Sequence, residues 1–437
     1  MNNEAITALI YDNQNTLLKQ RGITRNQEKE IYSTLGSKPI KIITGFRRTG
    51  KSFLAKQIAA KCTLEKGILP DNILYMNFED YRLTEVLNAK QLGDVYDVFI
   101  AKIARKGRKI LIFDEIQNIE NWEKFIRTIY EKHDNTEIII TGSNSELLSS
   151  ELGSRLSGRF IEFFILPFSF HEMLIYRGIT INETNDWLKN KTEIEKYFFE
   201  YVKFGGLPEI FEISSDDAKT SYLSGILNKV ILDDIVKRFA VANIDLLERT
   251  INYTLACSGN IVSFNRIGNH IKNMGIKAKP ETIINYMNYF KKVFSIFELD
   301  RFDNKKNRFF STLKKFFAVD TGLITLTGEI NNAGFRLENI VFLELLRQKK
   351  HCGYEAAASG GEIDFIYRTN ADNHQKIQVC QALTEENKKR ELGNFGLLKT
   401  NTDDKNLLLS LDNEETPITY NKETIERKNI IKWLLGI

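Results

Sequence analysis

Hydrophobic positions in the first third of the chain gather into short runs separated by longer stretches of helical spacing. The runs cover residues 40–44, 72–78, 109–115 and 137–141, and each predicts a strand. In the third, Ile110, Leu111, Ile112 and Phe113 follow one another without a polar break, which suits a strand buried on both faces of a parallel sheet. Between the runs, 53–60 and a segment carrying Trp122, Phe125, Ile126, Ile129 and Tyr130 predict helices. Residues 5–35 show helical spacing with a break at Arg21-Gly22, which predicts helices packed against the sheet edge. The class this implies is α/β.

Beyond residue 170 helical periodicity takes over. Residues 171–245 place Trp187, Tyr197, Phe198, Phe199, Tyr201 and Phe204 as the expected core of a helical lid or connector, and Gly205, Gly206 and Pro208 predict a sharp turn. Segments 263–271 and 279–287 predict two short helices joined at Gly275-Ile276, a helix-turn-helix spacing. Segments 297–299 and 308–310 predict the strands of a wing, with Lys305, Lys306, Lys314 and Lys315 adding positive charge. Residues 360–367 and 376–380 predict further strands. The expected divisions are a core at 1–170, the lid or connector at 171–245, a winged-helix-like module at 246–325 and an α/β domain at 326–437.

Composition narrows the classes. A chain of 437 residues is too long for one ordinary domain. A net charge of +4 is too small to argue for nucleic-acid binding, which then needs a local basic cluster. Cys62, Cys257, Cys352 and Cys380 are far apart and form no metal-type pair, so they suit a reducing interior better than a zinc site or a disulfide framework. The N-terminus lacks a basic stretch followed by an apolar core, and no run approaches the roughly 18 apolar residues of a membrane span. The expected location is cytoplasmic, with no membrane partner.

Candidate chemistry sits where the runs end. The first leads into Gly45-Phe46-Arg47-Arg48-Thr49-Gly50-Lys51-Ser52-Phe53, which has the spacing GxxxxGK(S/T) between a strand and a helix. In that arrangement backbone amides cradle the phosphates of a nucleoside triphosphate at a helix N-terminus. Lys51 would reach the outer phosphates, and the Ser52 hydroxyl would ligate Mg2+. At the end of the third run, Asp114 fits a magnesium-organising carboxylate and Glu115 the base that polarises an attacking water. The fourth run ends in Gly142-Ser143-Asn144-Ser145. Ser143 and Asn144 are both candidates to contact that water or the terminal phosphate, and a plain helix-capping turn is the alternative. Arg155 and Arg159 are four apart. Either fits an arginine finger reaching a neighbouring subunit in a homo-oligomer, or an ion pair within its own domain.

Taken together, residues 45–52, Ile112-Phe113-Asp114-Glu115-Ile116-Gln117 and 141–159 resemble a prokaryotic family of AAA-type ATPases. Its members carry a paired-arginine phosphate loop (an AAA_14-like ATPase domain) and a C-terminal domain of undefined function (DUF4143-like). Residues 203–209 resemble the family's GG-x-P-E segment, 317–323 its D-x-G-L segment and 336–339 its L-E-N segment. The resemblance covers nearly the whole chain. It implies an AAA-type P-loop parallel sheet, ATP and Mg2+ as ligands, and ATPase activity. Many members carry Ser where Asn144 stands.

The order of Glu338, Asp364 and the strand at 376–380 resembles the restriction-endonuclease-like fold, in which carboxylates and a lysine build a magnesium site. The fold's E-x-K triplet reads Gln378-Val379-Cys380 here, so one carboxylate and the lysine are missing. That implies a degenerate domain kept for interaction with a protein partner or for regulation. The leading expectation is an ATPase that couples nucleotide state to such modules. The alternatives are a nucleotide-gated DNA-binding switch and a nuclease resting on Glu338 and Asp364. The second helix of the helix-turn-helix carries Glu281 and few cations after Lys279, a poor match to DNA phosphates.

Overall fold

The structure, a computed structural model, describes the chain apart from residues 1, 20, 133–134, 146–157, 277, 304–307, 329–332, 357–359, 371–372 and 398–403. Two compact units divide it, Met1–Ile165 and Leu166–Ile437.

The first unit runs α1 (Asn3–Leu18), α2 (Asn26–Thr34), β1 (Ile40–Thr44), α3 (Lys51–Lys66), β2 (Ile73–Asn77), α4 (Ala89–Lys102), β3 (Lys109–Asp114), α5 (Trp122–Lys132), β4 (Thr136–Gly142) and β5 (Phe160–Phe164). Its strands form a five-stranded parallel sheet in the order β2-β3-β4-β1-β5. Alternate side chains feed opposite faces. Ile42, Leu74, Leu111 and Phe113 join one core, and Ile43, Tyr75, Ile112 and Ile139 the other. The amphipathic α5 buries Trp122, Phe125, Ile126 and Ile129, the spacing of one helical face. Helix α1 covers the edge at β2, where Asn13 Nδ2 and Gln14 Nε2 donate to the carbonyls of Tyr75 and Ile73 at 2.9 and 2.8 Å. Side-chain amides thus close a strand edge that would otherwise expose unpaired carbonyls. The charged side chain in β1, Lys41, is fully buried and is neutralised by the buried Glu137 of β4.

The second unit opens with helices α6 (Phe170–Tyr176), α7 (Thr184–Phe204) and α8 (Asp216–Lys229). Helix α7 starts with reciprocal hydrogen bonds between Glu183 and Asp186 and buries Trp187, Ile194, Phe198, Tyr201 and Phe204. Phe199, expected in that core, is 59% exposed, because it lies one helical step round from Phe198. Next come α9 (Ile244–Ala256), β6 (Ile261–Val262), α10 (Phe264–Asn273), α11 (Pro280–Lys292), β7 (Ile296–Asp303), β8 (Arg308–Ala318) and the short α12 (Thr321–Thr325). The chain ends with α13 (Ala333–Arg347), β9 (Cys352–Ala356), β10 (Glu362–Arg368), β11 (His374–Val379), α14 (Lys388–Leu397), β12 (Lys405–Ser410), β13 (Ile418–Tyr420), β14 (Glu423–Asn429) and α15 (Ile430–Leu435). The strands form one mixed nine-stranded sheet, β13-β14-β12-β11-β10-β9-β7-β8-β6.

The three short motifs of the second half meet in this unit as a polar lock. Asp320 is 1% exposed and accepts the backbone N–H of Gly206 at 2.7 Å and of Gly322 at 2.8 Å. The approach leaves no room at Gly205, which has a φ of 78°, since a Cβ there would lie 1.7 Å from Asp320 Oδ1. Asn339 bridges Ala318 by accepting its N–H at 2.8 Å and donating to its carbonyl at 2.9 Å. Arg336 Nη1 donates to Thr325 Oγ1 at 2.7 Å. Burial pushes the Asp320 carboxyl up to about 6, against the pull of the N–H donors that favour its anion. Among the described residues no helix is long and apolar enough to cross a membrane.

Candidate functional site

In the parallel sheet of the first unit, β1, β3 and β4 end side by side, with Thr44 paired to Gly142 and Asn77 to Asp114. Ligands bind beyond such carboxyl ends in open α/β sheets. The loop from β1 to α3 turns at Gly45, where φ is 151° and a Cβ would lie 2.2 Å from the Ile165 carbonyl oxygen. Glycine is required there by contact as well as by conformation. Gly50, at φ 92°, starts α3, and Lys51 and Ser52 occupy the helix's first turn. Inside the loop, Thr49 Oγ1 and Lys51 Nζ both donate to the Phe46 carbonyl at 2.9 Å, and Arg25 Nη1 donates to the Thr49 carbonyl at 3.2 Å. Phe46 is fully buried beneath the loop, while Phe53, on α3, is 37% exposed.

The predicted carboxylates stand against this loop. Ser52 Oγ donates to Asp114 Oδ1 at 2.9 Å. Tyr75 OH donates to Asp114 Oδ2 at 2.6 Å, and Thr141 Oγ1 donates to Oδ1. Three hydroxyls from three elements therefore fix a carboxylate that is 1% exposed. Burial and the Asp114 charge hold the Tyr75 hydroxyl well above its usual range, so it stays a donor. Glu115 adopts φ 53°, turning its side chain off the strand axis toward the loop. Its N–H donates to Thr141 Oγ1 at 3.2 Å, and Oε2 accepts from Ser143 Oγ at 3.1 Å and from Gln117 Nε2. Lys51 Nζ lies 3.9 Å from Glu115 Oε1. The loop lysine, its serine and both carboxylates thus occupy one small volume. The two metal-type oxygens, the Ser52 hydroxyl and the Asp114 carboxylate, are hard donors of the kind Mg2+ takes.

Ser143 is 2% and Asn144 1% exposed, and Ser143 Oγ touches Glu115. Arg47 forms an ion pair with Glu79, just beyond β2, at 2.8 Å, while Arg48 sits at φ 66°. Arg159 lies beside Glu131 at 3.7 Å and over the Tyr130 ring, both in the first unit. Arg155 lies outside the described residues. Sequence reasoning missed Tyr75, Thr141 and Gln117. For Tyr75 a signal existed, because a tyrosine in a strand buried on both faces needs a partner for its hydroxyl. Thr141 and Gln117 carried none beyond closeness to the motif.

The second-unit candidates come out differently. Lys314 and Lys315, counted toward a basic wing, are engaged. Lys314 pairs with Glu298 at 2.8 Å and with Asp300, and Lys315 is 1% exposed among Glu338, Glu362 and Asp364. The reason is strand alternation, which sends one lysine to each face of β8. Lys305 and Lys306 lie outside the described residues. Along α11 the exposed positions are Pro280, Glu281, Ile284, Asn285, Asn288 and Lys292, with Lys292 over the Phe239 ring at 5.0 Å, and Lys291 pairs with Glu298 at 2.7 Å. Cys380 is buried, which pushes its thiol up to about 12.

A family profile for an AAA domain (AAA_14) matches residues 37–174, and one for a domain of unknown function, DUF8612, matches 195–332. The uncharacterized protein MJ1544 of Methanocaldococcus jannaschii is 33% identical over 423 residues, 96% of this chain and 90% of that protein. An uncharacterized protein of Haemophilus influenzae is 33% identical over 402 residues, 91% of this chain and 94% of that one. Among solved structures, the Walker-type ATPase paby2304 of Pyrococcus abyssi aligns with a TM-score of 0.48 and 16% identity, covering 71% of this chain and 99% of that one. With a P-loop AAA domain at its head and this identity along almost its full length, the chain belongs to the protein family that the M. jannaschii and H. influenzae proteins represent.

Proposed function

We propose that the first unit binds ATP with Mg2+ and hydrolyses it, and that the second unit carries the output as an interaction or regulatory module. The observation that carries this reading is the 2.9 Å contact of Ser52 Oγ with Asp114 Oδ1, with Lys51 and Glu115 beside it. A glycine turn without chemistry has no use for a buried carboxylate against its serine.

Each side chain then has a task. The loop amides and Lys51 hold the phosphates, and Ser52 and Asp114 supply oxygens to the metal. Bound Mg2+ neutralises charge on the phosphate oxygens. Glu115 accepts a proton from, or polarises, the attacking water, and Ser143 with Gln117 orients its carboxylate. Arg47 is occupied by Glu79 and braces the loop against the end of β2.

For the second unit we carry the winged-helix-like reading of 246–325 and the restriction-endonuclease-like reading of 326–437. The exposed face of α11, where Glu281 offsets Lys292, and the engaged Lys314 and Lys315 favour a protein partner over duplex DNA. Calorimetric titration and phosphate release test the site together. Lys51→Ala is expected to lose ATP binding, whereas Glu115→Gln is expected to keep it and lose about a hundredfold or more in turnover. Turnover near the wild-type rate in Glu115→Gln would remove its assigned role.

A further inference from the structure

The second unit carries a half-open cavity of about 770 Å³ with an acidic wall that is neutralised from within the chain. Glu338 comes from α13, Glu362 and Asp364 from β10, and Lys315 from β8. Lys315 Nζ lies 3.2 Å from Glu338 Oε2 and 3.3 Å from Asp364 Oδ1, and it also pairs with Glu362. Its strand neighbours Phe316 and Phe317 are buried, so the backbone pins the ammonium where the carboxylates converge. Asp364 Oδ2 is taken separately by the Val379 N–H at 2.9 Å. Among the described residues, no group of three or more His, Cys, Asp and Glu side chains is placed to hold a metal ion.

A second feature of the wall points the same way. Gln378, 7% exposed, stands at the first position of the triplet that lacks its carboxylate. Its Nε2 donates to Glu391 Oε2 at 3.1 Å, but its Oε1 is buried and accepts no hydrogen bond. An orphaned acceptor beside three carboxylates is an unused oxygen ligand, so the wall suits a cation. The charge that seemed to be missing from 378–380 is supplied by Glu362 and Lys315, from other strands. An incoming ion would have to displace a buried ammonium already held by three carboxylates, with the Tyr354 ring 5.8 Å from its Nζ.

We propose that this cavity is a divalent-cation site in which the Lys315 ammonium stands in the ion's place, so that the second unit needs no metal. The site is a cation site with its cation covalently attached. Removing the ammonium exposes Glu338, Glu362, Asp364 and the Gln378 oxygen to an ion from solution.

The test uses full-length, nucleotide-free protein carrying Asp114→Ala, which removes the first unit's carboxylate ligand and so separates this proposal from the ATPase reading. Mn2+ binding is followed by electron paramagnetic resonance. With Lys315 intact, no saturable binding is expected, and neither Mn2+ nor EDTA shifts the melting temperature. Adding Lys315→Met creates one saturable site, at least about tenfold tighter than any binding in the parent. A further Asp364→Asn abolishes it. Saturable Mn2+ binding or a melting temperature raised by Mn2+ with Lys315 intact overturns the proposal, as does a folded Lys315→Met protein that gains no Mn2+. The melting measurement needs no substitution at 315, so it decides the matter even where the methionine variant does not fold.

Discussion

Two clusters of carboxylates, one in each unit, differ in what holds them. Neutral donors stand close to Asp114 and Glu115, namely the hydroxyls of Ser52, Tyr75, Thr141 and Ser143 and the Gln117 amide, with Lys51 Nζ 3.9 Å from Glu115 Oε1. Around Glu338, Glu362 and Asp364 the central partner is the Lys315 ammonium. Hydroxyl donors orient an anion and leave its charge in place, so it can still act on a cation or a proton. An ammonium cancels that charge, and a buried pair resists being opened. The first cluster is arranged for chemistry and the second for holding the fold.

That contrast is open to measurement. The largest expected effect is on folding: Lys315→Ala strands the buried carboxylates of Glu338 and Asp364 and the partly buried one of Glu362, and should cost about 3–5 kcal/mol of stability, read by urea unfolding. A loss below about 1 kcal/mol would break the comparison. Asp320→Ala comes next, since it orphans the buried N–H groups of Gly206 and Gly322 at about 1–3 kcal/mol each. The same carboxyl sets a pH dependence. Its folded pKa, near 6, lies above the ordinary value of 3.8, so its contribution is complete below about pH 4 and is lost as pH rises through 6. The stability gap between wild type and Asp320→Asn should therefore narrow from pH 4 to pH 7.

In the first unit, Tyr75→Phe removes one of three hydroxyls on Asp114 without touching the nucleotide loop. The Mg2+ concentration for half-maximal turnover should rise about fivefold, the size of one lost hydrogen bond, while folding stability changes little. An unchanged Mg2+ requirement would deprive Tyr75 of its positioning role. The smallest effect belongs to the partly exposed Arg47–Glu79 pair, where Arg47→Ala should cost under about 1 kcal/mol and the loss should shrink further in high salt.

Much of the first unit was legible in advance because its signals are local. An unbroken apolar run such as Ile110 to Phe113 has no other stable place than a strand covered on both faces, and β3 is that strand. Gly45, Gly50, Lys51 and Ser52 announce a loop whose geometry depends on residues a few positions apart. The second unit was less legible, because its chemistry is assembled across long separations. Asp320 meets Gly206 across 114 positions, and Lys315 meets Asp364 across 49.

By itself, then, the sequence determined the parallel α/β core, the phosphate-loop spacing and the carboxylates at the end of β3, each set by nearest-neighbour sterics and hydrophobic periodicity. Tertiary structure alone decided which hydroxyls hold Asp114, that Arg47 turns to Glu79, and that Lys315 of β8 stands among Glu338, Glu362 and Asp364. A side chain's charge is written in the sequence. Whether that charge is free to act depends on what the fold brings within about 3–4 Å of it, since at that range and in low dielectric one partner outweighs all distant ones.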